Sequence, residues 1–266
     1  MFSLNDILAA LPASGLFSSS WRWSPRPLPI SRSIGRQLQG LGHVLAQFQR
    51  ASDSLYQLSH QQHAPAWVAQ MLDAGKPDWM IAAQRSEALQ HQRPRVIRPD
   101  LLITARGLSL VEIDSVPGGM GTTAWMAQFY QQQGFEVLGG ARGMLDGFAE
   151  ILPENGIIAI SNEAADYRGE MEWLAAQLDT PRRVVAAESL GTELDTTTYR
   201  FFELFDWRAL PTFPQWAADP RLQAPCKPHL EEKSWLALLH SPGLQSQWRQ
   251  FCLLYTSDAA DEEDSV

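Results

Sequence analysis

The sequence predicts an α/β protein with a helical N-terminal region, an acidic β-hairpin and a strand–helix–strand unit. Three observations carry this reading. From residue 34 to 58 apolar side chains recur at helical spacing (Ile34, Leu38, Leu41, Leu45, Phe48). RVIRPDLLIT and LSLVEID flank the short connection Ala105-Arg106-Gly107 and have the composition of paired strands. GIIAIS (156–161), a helical stretch and RRVVAAE (182–188) then follow in the order that gives parallel strands joined by a right-handed crossover.

Taken in chain order, WRWSPRPLPI (21–30) holds three prolines and reads as an extended arm, because proline neither donates to a helix nor sits in a central strand. After the helix at 34–58, residues 66–72 and 79–89 read as two shorter helices, so 1–94 forms a mainly helical region. Residues 95–152 hold the hairpin, a glycine-rich turn (Pro117-Gly118-Gly119-Met120-Gly121), a helix at 122–133 and a second glycine-punctuated stretch. Residues 153–215 carry the strands 156–161 and 182–188, a helix at 170–178 and a strand over 197–205. Residues 216–251 read as a helix pair.

The last segment stands apart. CLLYTSDAADE, from Cys252, resembles the translation of a transposon-end adapter, so 252–266 is read as a non-native tail and the natural protein is expected to continue past Phe251. Five acids of that tail weigh on the formal charge of −9; without them 21 bases face 25 acids. No basic domain is present, which argues against a nucleic-acid partner. Two cysteines outside any metal pattern, no signal-peptide start and no apolar run near the ~20 residues of a membrane span lead to the expectation of a cytoplasmic protein without a membrane partner.

The chemistry concentrates in the hairpin. Pairing Thr104 with Leu108 sets Asp100 opposite Glu112 and Arg98 opposite Asp114, so all four share one face. Ile97, Leu101, Ile103, Val111 and Ile113 then form the other face, an apolar set suited to a core. Directly opposed carboxylates repel. Something positive is therefore expected between Asp100, Glu112 and Asp114, and Mg²⁺, which favours carboxylate oxygens, waters and phosphates, suits them. Taken singly, each acid reads as a solvated strand end. The shared face followed by a glycine turn and a helix N-terminus favours a site.

RPDLLIT followed by LSLVEIDSVPGG resembles the metal hairpin of ATP-grasp ligases, and more closely the circularly permuted branch that includes glutathionylspermidine synthases. There an Arg-x-Asp strand precedes a Glu twelve residues on and an Asn two further. Asp114 replaces that Asn, which leaves the ligand roles open. GIIAISNEAADYRGEMEWLAAQL with TTYRFFELFD resembles the Rossmann-like pre-ATP-grasp segment of that family. The resemblance implies ATP and Mg²⁺ as cofactors, small-molecule carboxylate and amine substrates, and an acyl phosphate between them. It implies Asp100, Glu112 and Asp114 as metal ligands, Arg98 as the catalytic phosphate clamp, and Ser115, Gly118 and Gly119 as substrate-binding positions. The lysines that grip the nucleotide would lie beyond Phe251, whereas Lys227 and Lys233 read as structural at helix starts. A noncatalytic α/β binding module, or a degenerate ATP-grasp scaffold, is the alternative. Among weaker candidates, His60 and His63 read as a solvated face, and Ser161-Asn162 as either a cap or a ligand contact at a strand end.

Overall fold

A computed structural model describes residues 3–12, 16 and 22–251. The expected tail at 252–266 and Trp21 of the predicted arm lie outside the described residues. The elements, in order, are α1 (Leu4–Ala10), α2 (Arg32–His60), α3 (Trp67–Asp73), α4 (Asp78–Arg85), β1 (Arg98–Thr104), β2 (Gly107–Asp114), α5 (Met120–Gln132), α6 (Gly143–Ala149), β3 (Ile157–Ile160), α7 (Arg168–Gln177), β4 (Arg183–Ala186), β5 (Thr198–Phe201), α8 (Phe213–Trp216), β6 (Leu222–Gln223), α9 (Ser234–Leu239) and α10 (Gln245–Gln250). Residues 22–30 are neither helix nor strand, as their prolines dictate.

The chain gathers into two compact units that interleave in sequence. One takes Met1–Ser31, Pro94–Val96 and Val116–Pro225; the other takes Arg32–Arg93, Ile97–Ser115 and the chain from Cys226 on. The first unit holds a parallel four-stranded sheet in the order β4-β3-β5-β6. All four residues of β3 are buried, which explains its uninterrupted apolar run. Ile158 and Ile160 pack with Met171 and Leu174 of α7, Phe148 of α6, and Tyr199 and Phe201 of β5. A second cluster joins Trp125, Phe129 and Tyr130 of α5 to Ile7 and Leu16, with Trp23 edge-on to Trp125 at 5.4 Å.

The strand expected over 197–205 ends at Phe201, and a 3₁₀ turn, Leu204–Ala209, follows soon after. Arg200 lies beneath this change of direction. Its side chain is fully buried, Nε donates to the Ala224 carbonyl at 2.9 Å, and a terminal nitrogen donates to the Phe202 carbonyl at 2.5 Å. The Phe202 carbonyl thus meets a guanidinium at the sheet's end.

The second unit is built along α2. The first three turns of this helix are mostly exposed, and from Leu45 onward it buries Leu45, Phe48, Leu55 and Tyr56. Phe48, Leu55, Val68 and Leu72 pack with Trp235, Leu244 and Trp248 from the far end of the chain. Within this apolar setting lies a charged cluster. Asp53, 2 % exposed, accepts from Lys227 Nζ at 3.0 and 3.1 Å, meets His229 Nε2 at 3.0 Å and lies 3.2 Å from Arg93 Nε. The His229 ring stacks on Tyr56 at 4.0 Å and its Nδ1 meets Gln84 Oε1 at 2.7 Å. Gln84 Nε2 donates to Asp73 and to the Tyr56 hydroxyl, and Arg85 pairs with Asp73.

Burial pushes the Asp53 carboxyl up, but the hydrogen bond and charge of His229, together with the charge of Lys227, outweigh it and hold the pKa below its ordinary value. Burial pushes Lys227 and His229 down, against the pull of Asp53. An acid with a depressed folded-state pKa contributes stability that is present above the ordinary carboxylate value and lost as pH falls through the lower one. Urea denaturation between pH 7 and pH 2 should therefore show an acid-side loss of stability that is smaller in Asp53→Asn. At neutral pH Lys227→Met, which leaves Asp53 with Arg93 and His229 as partners, should cost about 1.5–3 kcal/mol, the range for a hydrogen bond to a charged group. A neutral effect of Lys227→Met would refute this account of the cluster.

Candidate functional site

The hairpin brings the four predicted residues to one face, by a route the sequence did not show. Thr104 pairs with Gly107, not with Leu108, and the register continues through Leu101↔Leu110. A shift between Asp100 and Leu101 then leaves Val111 without a partner, so Asp100↔Glu112 and Arg98↔Asp114 stand directly opposed as expected. Val111 is thus a one-residue β-bulge that restores the register lost at the turn. Gly107 has φ +115°, and a Cβ there would come 2.8 Å from the Gln37 side-chain oxygen, which also accepts from the Leu108 N–H. Glycine is what this turn admits.

The apolar face departs from expectation. Leu101 and Ile113 are half-buried, but Ile103 is 58 % and Val111 48 % exposed, so the alternate residues do not form a continuous core. The bulge breaks the alternation at Val111. The sheet has only two strands, so neither face is continued by neighbours. Pro99 is tolerated because both strands are edges.

The charge that the acids demand comes from the chain itself. Arg98 lies 3.0 Å from Asp114 and 3.4 Å from Asp100, and Lys233 Nζ lies 2.7 Å from Glu112 Oε1. Lys233 directly precedes α9, as its reading at a helix start implied, and its contact with Glu112 was not foreseen. Its pKa is raised by the hydrogen bond and charge of Glu112, then by Asp114 and Asp100. The Lys233 side chain is 68 % exposed, so this is a solvent-screened pair. Among the described residues no three His, Cys, Asp or Glu side chains converge as a metal-holding group.

The residues after β2 divide between the units. Ser115 ends its stretch of the second unit, 2 % exposed, with a hydroxyl that has no hydrogen-bond partner. Gly118 and Gly119 belong to the first, where the turn leads into α5. Gly119, at φ +89°, caps the helix. Its N–H donates to Glu170 Oε1 at 2.6 Å, and the Thr122 N–H and hydroxyl donate to Glu170 Oε2 at 3.1 and 2.8 Å. The carboxylate at this helix N-terminus is therefore the protein's own. A Cβ on Gly118 would come 2.0 Å from the Tyr167 ring, and one on Gly121 2.2 Å from the Glu170 carbonyl oxygen. Close packing of α5 on α7 accounts for Gly121, and the approach of the preceding turn to the Tyr167 ring accounts for Gly118.

Glu170 was not singled out in the sequence, where it is one acid in a helical stretch. It is fully buried, and burial raises its pKa against the hydrogen bonds from Thr122 and Gly119. Its contribution to stability is thus greatest below the ordinary glutamate value and declines as pH rises through the raised one. Of the weaker candidates, His60 and His63 are exposed. Ser161 Oγ accepts from the Ala164 N–H at 3.2 Å, and the Asn162 N–H donates to Glu188 at 2.7 Å, so Ser161 acts as a turn cap. Burial raises the pKa of Asp206 against the charge of Arg200, whose guanidinium also donates to the Ala224 and Phe202 carbonyls.

No helix among the described residues is long and apolar enough to cross a membrane. No protein-family model matches the chain, and no curated protein matches its sequence.

The Glu170 cap has a direct test. Glu170→Ala leaves two backbone N–H groups without their acceptor and should cost about 1–3 kcal/mol in chemical denaturation. Gly121→Ala, which forces α5 off α7, should cost at least as much. A neutral Gly121→Ala would show that the two helices do not need their close approach.

Proposed function

We propose that this chain is the N-terminal part of an ATP- and Mg²⁺-dependent carboxylate–amine ligase of the ATP-grasp type, acting through an acyl phosphate. One observation carries the reading: Asp100↔Glu112 and Arg98↔Asp114 are directly opposed on one face, held there by the bulge at Val111. The spacing that resembles the ligase hairpin is thereby a spatial arrangement as well as a sequence pattern. The donors fit a hard divalent cation in kind, since they are carboxylate oxygens only, but as they stand the three do not converge as a metal-holding group, so binding would require them to close on the ion. They are at present satisfied by Arg98 and Lys233, so bound Mg²⁺ would take over the charge that exposed Lys233 supplies to Glu112.

In this reading Asp100, Glu112 and Asp114 would hold Mg²⁺, which supplies charge neutralisation at the transferred phosphoryl group. Arg98 would clamp the γ-phosphate or the acyl phosphate with its two-pronged guanidinium. Ser115 in the second unit, and separately Gly118 and Gly119 in the first, are the substrate-binding positions that the resemblance implies. The turn's support for that role is indirect: its N–H donors already face a carboxylate, that of Glu170, which a substrate would have to replace.

The second reading, a noncatalytic binding module or degenerate scaffold, is favoured by those same internal contacts, because a face neutralised by Arg98 and Lys233 needs no metal to be stable. Activity separates the two. Protein expressed from the uninterrupted gene should release ADP and phosphate with its acid and amine. Glu112→Gln should lower kcat by more than about 100-fold, beyond what the partners of metal ligands typically contribute. Residues 1–251 alone should bind ATP weakly by calorimetry. Undiminished turnover in Glu112→Gln would end the ligase reading of the carboxylates, and tight ATP binding by 1–251 would end the division of the site across the chain.

A further inference from the structure

Behind the acid-bearing strand, and within the same unit, lies a small cavity lined by Phe48, Gln49 and Ser52 of α2, Ile113 of β2, and Glu232, Lys233 and Trp235 around the start of α9. It offers about 10 Å³ to water-sized guests, roughly what one water molecule requires. Two of its walls are polar and shielded. Gln49 is 4 % and Ser52 1 % exposed, and neither Gln49 Oε1 nor Ser52 Oγ has a hydrogen-bond partner in the protein. Three residues apart on α2, they lie on one face of the helix. Folding rarely leaves a buried amide oxygen and a buried hydroxyl unpaired, since each removes a hydrogen bond that water supplied in the unfolded chain.

We infer that this cavity is a built site for a single internal water molecule, which donates to Gln49 Oε1 and pairs with Ser52 Oγ. The donor set selects that guest. Gln49 Oε1 only accepts, so an anion finds repulsion there. A cation would face the Lys233 ammonium in the same wall, and the carboxylate that also lines the cavity, Glu232, is already paired with Lys76. An apolar guest would leave both polar atoms unpaired. A neutral molecule of water's size with donors and lone pairs satisfies both. Ile113 lies between Glu112 and Asp114, and Lys233 pairs with Glu112, so the water seats the acidic strand and its counter-charge on α2. This inference stands whether or not the hairpin serves a ligase.

Magnetic relaxation dispersion of water oxygen counts long-lived internal waters in the intact chain. The double variant Gln49→Leu/Ser52→Ala, which removes both polar walls, should hold one fewer than wild type. In urea denaturation each single variant should lower the folding equilibrium constant about tenfold by leaving one polar atom to a half-satisfied water, while the double should recover most of that loss. Equal water counts, or single-variant losses that simply add, would overturn the site. Should the double variant fail to fold, a high-resolution crystal structure of wild type decides: density within hydrogen-bond distance of both atoms supports the site, and protein partners on both atoms remove it.

Discussion

The second unit depends on a carboxylate that cannot be left alone. Asp53 sits on the buried face of α2, and an isolated charge there would be untenable without partners. Its partners come from Arg93 and, 174 and 176 residues along the chain, from Lys227 and His229. Satisfying one charge thus draws separate stretches of sequence onto one helix. It also fixes the 3₁₀ turn Pro228–Glu231, and two residues beyond that turn Lys233 reaches Glu112. The acid face of the hairpin and the buried cluster are in this way two ends of one arrangement.

The same physical demand recurs wherever the chain places negative charge. On the hairpin, three carboxylates would repel across the strand pair, and Arg98 and Lys233 relieve them. At the N-terminus of α5 the unpaired backbone donors want an anion, and buried Glu170 provides it. Both places read in the sequence as sites waiting for a ligand, and in both the fold supplies a counterpart of its own. The two counterparts differ in kind. Lys233 is largely exposed on a flexible stem, a cation that water or a metal ion can replace at modest cost. Glu170 is buried and bonded through both oxygens, and displacing it would disturb the packing of α5 on α7.

What the sequence determined alone was the local and periodic content. The helical spacing from Ile34 to Phe48, the apolar run of Ile157–Ile160 and the proline-rich arm each follow from side-chain pattern and backbone chemistry acting over a few residues. Arg98, Asp100, Glu112 and Asp114 were legible as one face because alternation in paired strands is itself local. Their register was reached through a compensation that the sequence hid, as Val111 looks like any strand residue until the Thr104↔Gly107 turn forces one residue out of the ladder. Tertiary structure alone decided the rest. That Glu170 caps a helix 51 residues earlier, that Lys227 serves Asp53, and that Lys233 meets Glu112 are outcomes of burial and charge compensation between distant stretches. Such pairings leave no periodic trace, because their residues are chosen by the solvent they lose together and not by their spacing along the chain.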